Sequence, residues 1–503
     1  MMRRFSGLIL LLLWVPFAAS AQKEGDVWFF GRRVLLDFQS GSPTVSANGV
    51  IFSVEGSSSL SDAQGNLLFH TNGWQLYNQF NQQVPGWPFA STPFAAAEAK
   101  AQGTLLLPVN DTLTLCFNLS VGASNFYGNG GYYVEINPRA RSDSGAVTSG
   151  VIQFGDSLTE QMAAVRHADG ESWWVLLHYS RQDVFVKLHI DTAGNVSRTE
   201  QPVGNVHPHI GVPYNSPLVF NPQGNRLVLT SELGRIDYLS FDRCTGELEL
   251  LDVIDKARDS TNAFYGLSFS PSGRFLYVSD QYWGQVGGPL NYPSKLFQYD
   301  VTAPVLQASE RLIWTSPPPC EPWWTGQFCR RAMGGHKLGP EGKIYIGNGS
   351  NDGNLAVWDS LSVIHAPDQP GLACDFRPLE YGLPPGTGSS FFPNIPNYRL
   401  GPLVAQVAEA GPDTSICPGS SVVLGVPDTS GTLVFTWWTG NGTDQTLSAA
   451  NAAQPTATPI TSTTYYLLVE DTTIDASCSN TLDSVRIELY DTSASPTAYV
   501  GPE

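Results

Sequence analysis

Basic residues are scarce in this chain. Twenty-seven Lys plus Arg stand against 45 Asp plus Glu, a formal charge of −18 over 503 residues. That balance excludes nucleic acid as a partner and gives no basic footprint for an anionic membrane; its ordinary reading is a soluble, self-repelling surface. Long apolar runs are missing after residue 21, so direct membrane insertion is not expected. No GxSxG elbow, HExxH helix or phosphate loop occurs, and no catalytic residue is assigned. Cysteine is limited to positions 116, 244, 320, 329, 374, 417 and 478, with no CxxC pair, which excludes the usual zinc and dithiol redox motifs.

What is present begins with a leader over residues 1–21. Arg3 and Arg4 precede the apolar stretch Leu8 to Val15, and Ala19-Ser20-Ala21 forms an A-x-A cleavage site that leaves Gln22 first. The expected location is therefore secreted, extracellular or on the outer cell surface. Export admits disulfides. Cys320 and Cys329 flank one short loop, and Cys417 and Cys478 bracket one small C-terminal domain; each pair is expected to bond. Cys116, Cys244 and Cys374 remain, so at least one thiol is left over.

From residue 25 a short phrase recurs: a polar turn containing glycine, then an aromatic or β-branched run. It reads SDAQGN before Leu67, HADG before Trp173, NPQGN before Leu227, SPSG before Phe275 and GPEGK before Ile344. The turn glycines at 65, 170, 224, 273 and 342 are spaced by 105, 54, 49 and 69 residues. Leu105 to Leu115 supplies a further hairpin inside the double interval. A repeat of roughly 40–50 residues fits four-stranded blades arranged radially. The expectation is an all-β fold, a β-propeller of about seven blades over 25–402. Asn394 to Leu400 is expected to pair beside Val27 to Phe30 and close the ring, which removes sheet edges.

Residues 403–410 read as a linker, and 411–491 as a small Ig/PKD-like β-sandwich of about seven strands, with alternating strands, Trp437-Trp438 and a Tyr-rich run at 465–466. Residues 492–503 read as a polar tail. The phrases GDVWFFG, LSDAQGNLLFHTNG, FDRCTGEL, LGPEGKIYIG and PNIPNYRLGP resemble the N-terminal propeller of large exported Bacteroidetes proteins. AGPDTSICPGSSVVLG with TSTTYYLLVED resembles their PKD/Ig-like modules. The resemblance implies the type IX secretion and gliding-motility setting, and carries no catalytic residues.

Candidate chemistry is thin. His207 and His209 share a face of an extended run and form the candidate metal pair, one ligand short of a site. His336 is a candidate for the central channel, with Arg330 and Arg331. Glu55, Asp62 and Asn72 are the candidate oxygen ligands for a channel calcium, although Asp62 also has a sufficient role in its turn. Trp283, Trp323 and Trp324 are candidate ligand-binding aromatics, the last two in the CEPWWTGQFC loop. The expected function is a secreted or surface binding or adhesion protein, with the propeller face contacting a surface glycan or protein and the sandwich as spacer. The alternative is a calcium-dependent lactonase- or lyase-like enzyme in the channel. No other cofactor is implied.

Overall fold

In the computed structural model, the described residues are 23–490 apart from 54, 88–99, 122–128, 207–216, 232–233, 257–263, 281–293, 317–331, 350–358, 389–390, 404–407, 429–430, 441, 443–445, 473–477 and 479. They are organised by the turn phrase. Its first polar residue gathers the backbone of the turn and glycine supplies the positive φ. Asp62 Oδ1 accepts the amides of Gln64 (3.0 Å) and Asn66 (2.8 Å), and Gly65 takes φ 92°. Asn221 and Gly224 (φ 72°) repeat this arrangement, as do Asp191 and Gly194 in a copy the spacing does not single out.

The strands between these turns form seven successive antiparallel sheets. Sheet 1 holds β1 (Val27–Phe30), β2 (Val34–Asp37) and β3 (Thr44–Ser46); sheet 2 holds β4 (Ser58–Ser61), β5 (Leu67–Thr71) and β6 (Leu76–Asn78). Sheet 3 holds β7 (Thr104–Asn110), β8 (Leu113–Val121), β9 (Asn129–Asn137) and the short β10 (Ala146–Val147). It runs into sheet 4 through β11 (Ile152–Arg166), which continues with β12 (Trp173–Tyr179), β13 (Val184–Ile190) and β14 (Val196–Pro202). The first half of β11 pairs with β9 and its second half with β12, with a register break between Leu158 and Met162. Sheets 5 to 7 are regular four-stranded meanders. They comprise β15 (Leu218–Phe220), β16 (Arg226–Ser231), β17 (Arg235–Phe241) and β18 (Leu248–Asp255); β19 (Phe264–Phe269), β20 (Phe275–Asp280), β21 (Lys295–Asp300) and β22 (Arg311–Thr315); and β23 (Ala332–Leu338), β24 (Ile344–Gly349), β25 (Ser360–Ile364) and β26 (Phe376–Gly382).

This is a β-propeller. The inner strands touch in order, β1 to β4 to β7, then β11 to β15 to β19 to β23. The core lies between blade faces: Leu176 and Phe185 meet Leu227 and Leu239, Ile236 and Tyr238 meet Leu267 and Val278, and Tyr277 and Leu296 meet Ile344 and Ile364. Sheet 1 is entered in the opposite sense, because β1 lies antiparallel to β4: the Ser59 hydroxyl donates to the Val27 carbonyl (2.6 Å) and the Ser61 amide to the Glu24 carbonyl (3.0 Å).

Ring closure differs from the expectation. Residues 394–400 form no strand beside β1. Pro393 and Pro396 lack the N–H that a ladder requires, and the segment runs instead along the axis as a strap. With Phe391 and Phe392 the strap spans 391–400, and its contacts reach every blade. The Asn394 amide donates to Ser57 O (2.7 Å) and its side chain to Met162 O (2.9 Å), while Asn397 donates to Pro222 O (2.8 Å). The Tyr398 hydroxyl reaches Leu106 O (3.4 Å), Lys337 donates to Ile395 O (2.7 Å), and Arg399 pairs with Asp26 (3.2 Å). Phe391 packs edge-on against Tyr265, with ring centroids 4.9 Å apart. Sheets 1 and 7 then meet through side chains: Trp28 packs on Tyr345 (6.0 Å) and Phe392 (5.7 Å), and the Tyr381 hydroxyl donates to Pro43 O (2.6 Å).

Beyond the strap lies a second β unit with its own core around Trp437, Tyr465, Leu467 and Ile487. Among the described residues it has six strands rather than seven: β27 (Thr414–Ile416), β28 (Val422–Val423), β29 (Leu433–Thr439), β30 (Thr456–Ala457), β31 (Thr463–Asp471) and β32 (Asn480–Leu489). One sheet runs β27-β32-β31-β29 and the other is the β28-β30 pair.

The expected Cys417–Cys478 bond is not formed. Strand β27 is parallel to β32, with Ile416 beside Leu489. This puts Cys417 at the far end of β32 while Cys478 precedes its start, a strand length of roughly 30 Å and far beyond disulfide reach. Cys478 bonds instead to Cys244 on the propeller, and Cys417 is an exposed thiol. Cys116 and Cys374 are buried thiols, and Cys320 and Cys329 lie outside the described residues. A disulfide is in keeping with a compartment outside the cytoplasm, and no helix among the described residues is long and apolar enough to cross a membrane.

Candidate functional site: an axial acid cluster

In sheets 2 to 7 the chain starts each blade at the axis, so residues just before or early in the inner strands gather at one end of the ring. Four ionisable side chains meet there. Glu55 precedes β4, Lys100 precedes β7, Glu160 sits at the register break of β11 where the chain passes from blade 3 to blade 4, and Tyr265 is the second residue of β19. The Tyr265 hydroxyl donates to Glu55 Oε1 (2.7 Å), and Lys100 Nζ lies 3.5 Å from Glu160 Oε1.

All four are buried; the side chains of Lys100 and Glu160 are 4% and 2% exposed. Glu160 has few partners for so buried a carboxylate: the Lys100 ammonium and a long contact from the Ala101 amide. Burial pushes both carboxyls up from their ordinary range. The Tyr265 hydrogen bond and the Lys100 charge pull Glu55 back; Lys100 pulls Glu160 back while the Glu55 charge pushes it further up. Two acids face one amine, so the cluster has room for one further positive charge or proton.

The surroundings are fixed by satisfied amides. Gln102 Oε1 accepts the amides of Met162 (3.1 Å) and Leu218 (2.9 Å), and its Nε2 donates to Leu218 O (2.9 Å), tying blades 3, 4 and 5 together. Gln161 donates to Thr230 O (2.9 Å). Along the strap an axial cavity of about 400 Å³ remains, with Gln102, Ala164, Leu267, Ser268, His336 and Lys337 among its lining residues.

His336, the channel candidate, is one of these lining residues. It sits on β23 with both ring nitrogens unpaired among the described residues, and burial holds it neutral with a pKa lowered to about 3. Arg330, Arg331, His207, His209, Trp283, Trp323 and Trp324 lie outside the described residues.

The calcium trio does not assemble. Asp62 closes the β4–β5 turn, at the other end of β4 from Glu55, and its oxygens are taken by Gln64 and Asn66. Asn72 Oδ1 accepts the amides of Trp74 (3.1 Å) and Gln75 (2.8 Å), and its Nδ2 donates to Phe52 O (2.8 Å). Among the described residues no three His, Cys, Asp or Glu side chains converge as a metal site. Of the trio only Glu55 joins the cluster. Lys100, Glu160 and Tyr265 are not singled out by the sequence pattern; the one available signal is a glutamate leading directly into the apolar inner-strand run Met162 to Val165.

No family model matches the chain, and no curated relative matches it. Among solved structures it is similar to a putative 6-phosphogluconolactonase from Bacteroides uniformis at 13% identity, covering 73% of this chain and 98% of that one, with a TM-score of 0.43. The periplasmic gluconolactonase PpgL of Pseudomonas aeruginosa is 13% identical over 82% of this chain and 92% of its own, with a TM-score of 0.36. The β-propeller domain of Cps50 (Swd1) from Myceliophteria thermophila is 11% identical over 65% and 94%, with a TM-score of 0.37. At these scores the likeness says nothing of ligand or reaction.

Proposed function

We propose that this chain is an exported binding protein whose propeller takes a small polar ligand at the axial cluster of Glu55, Lys100, Glu160 and Tyr265, with the second β unit, read as Ig/PKD-like, as its spacer at the cell surface or in the medium. The supporting observation is Glu160: its carboxylate is almost wholly buried beside a second buried carboxyl, Glu55, and the one cation against it is Lys100, 3.5 Å away. Burying two acids against one amine is costly, and ligand sites are where such a cost is retained. A ligand with ammonium or hydroxyl donors supplies what the cluster lacks.

The test is thermal unfolding of the full chain against neutral sugars, amino sugars and simple diamines. A donor-bearing compound is expected to raise Tm in a concentration-dependent way, and Glu160→Gln or Glu55→Gln to remove the shift. A shift of equal size in both variants, or no shift with any of these compounds, contradicts the proposal.

A second reading is hydrolysis of a cyclic ester. What favours it is a pair of carboxyls displaced toward neutrality beside a lysine and a phenol, the condition for acid–base work near pH 7. Turnover of simple aldonolactones, lost in Glu160→Gln, would put this reading first.

A further inference from the structure

The second β unit has a face that its own fold does not explain. Along β29, β31 and β32 alternate residues point inward and form the core, among them Phe435, Trp437, Tyr465, Leu467, Val469, Val485 and Ile487. A sheet solvated on one side carries polar residues at the remaining positions. Here two cross-strand rows are largely apolar. One row is Trp438, Tyr466 and Ser484; the next is Thr436, Leu468 and Leu482. Val434 and Leu482 are 43% and 63% exposed.

The rings of Trp438 and Tyr466 lie nearly parallel, 20° apart in plane with centroids 5.8 Å apart. Each is only half-buried, and neither the Trp438 indole N–H nor the Tyr466 hydroxyl has a hydrogen-bond partner among the described residues. The same holds for the hydroxyls of Thr436, Thr464 and Ser484 around them.

Rigid aromatic faces bordered by free hydroxyl groups complement a pyranose, whose axial C–H groups form an apolar face and whose hydroxyls ring its edge. Charge narrows the class. The ionic groups beside the aromatic pair, Arg486 and Glu488, neutralise one another at 3.0 Å, and the chain as a whole carries −18, so a polyanion is repelled. The other carboxylate of the face, Glu470, stands opposite Val434 and Asn480, one row beyond Leu468, while the residues bordering the rings, Thr436, Thr464 and Ser484, are uncharged.

We infer that the Trp438–Tyr466 face binds a neutral polysaccharide, stacking pyranose rings on the aromatic pair and hydrogen-bonding through Thr436, Thr464 and Ser484. This second contact surface is independent of the axial cluster, and it makes the unit a glycan-docking module rather than a passive spacer.

The experiment is retention of the full chain on insoluble cellulose, chitin, β-1,3-glucan and starch, with the matching soluble hexasaccharides titrated against tryptophan fluorescence. Retention on at least one is expected, weakened tenfold or more by Trp438→Ala and independently by Tyr466→Ala, with the far-ultraviolet spectrum and the Cys244–Cys478 bond intact. Leu312→Ser, at an exposed apolar position of the propeller strand β22, is expected to bind as the wild type does, which ties the retention to this face. No retention on any of the four, or retention unchanged in both aromatic variants, overturns the inference. So does self-association abolished by Leu482→Glu without glycan binding, since that would make the face a protein interface.

Discussion

His70 shows how tightly the blades set the properties of single residues. Its ring is fully buried on β5 between Phe29 (centroids 4.1 Å) and Tyr77 (5.5 Å), and burial lowers its pKa to about 3. The unfolded chain therefore takes up a proton near pH 6.5 that the folded chain refuses until about pH 3, so stability falls as pH drops through that window. The slope is at most about 1.4 kcal/mol per pH unit. His336 adds a second contribution of the same sign. Glu55 and Glu160 run the other way: their raised pKa stabilises the fold below the unfolded carboxyl value and the benefit is lost as pH rises. A variant isolates one of these contributions. Replacing His70 by Phe preserves the stack, and the loss of stability between pH 7 and pH 5 is expected to shrink by about 2 kcal/mol relative to wild type in urea titrations. An unchanged pH dependence would place a protonatable, hydrated imidazole at this position.

At the scale of elements, the disulfide is the feature that sequence arithmetic misassigns. Proximity along the chain suggests Cys417 with Cys478, but a parallel β27–β32 pairing cannot be inferred from alternation alone, and it separates them. Cys244 lies in the Asp242–Gly246 turn after β17, beside His167, whose Nε2 is 3.0 Å from Cys244 O. The bond to Cys478 closes a span of 234 residues between the two units. Removing it with Cys478→Ser is expected to free the second unit, visible as faster proteolysis around residues 403–410, while Cys417→Ser leaves the digestion rate unchanged. The loss in stability is expected to be about 2–4 kcal/mol. Equal effects of both variants would contradict the pairing. The strands themselves are legible: each of the five turn phrases precedes a strand, and the turn glycines all take positive φ. That information is local, held in a polar residue and a glycine a few positions apart.

At the scale of the whole molecule, seven sheets arise where a count of about seven blades was expected, but the manner of closure was not legible. It depends on a proline-containing strap folding into the axis and on β1 running against β4, both non-local choices. The axial cluster was legible only through Glu55, since Lys100, Glu160 and Tyr265 converge from separate blades and share no motif. The strap at 391–400 pins the ring from inside. Hydrogen–deuterium exchange of the full chain tests it most directly, followed on peptides spanning Phe391 to Leu400. Protection at Asn394, whose amide is held by Ser57 O, is predicted to match that of the inner strands β4 and β23. Exchange there within seconds, with the inner strands still protected, would mean that the ring closes without its strap.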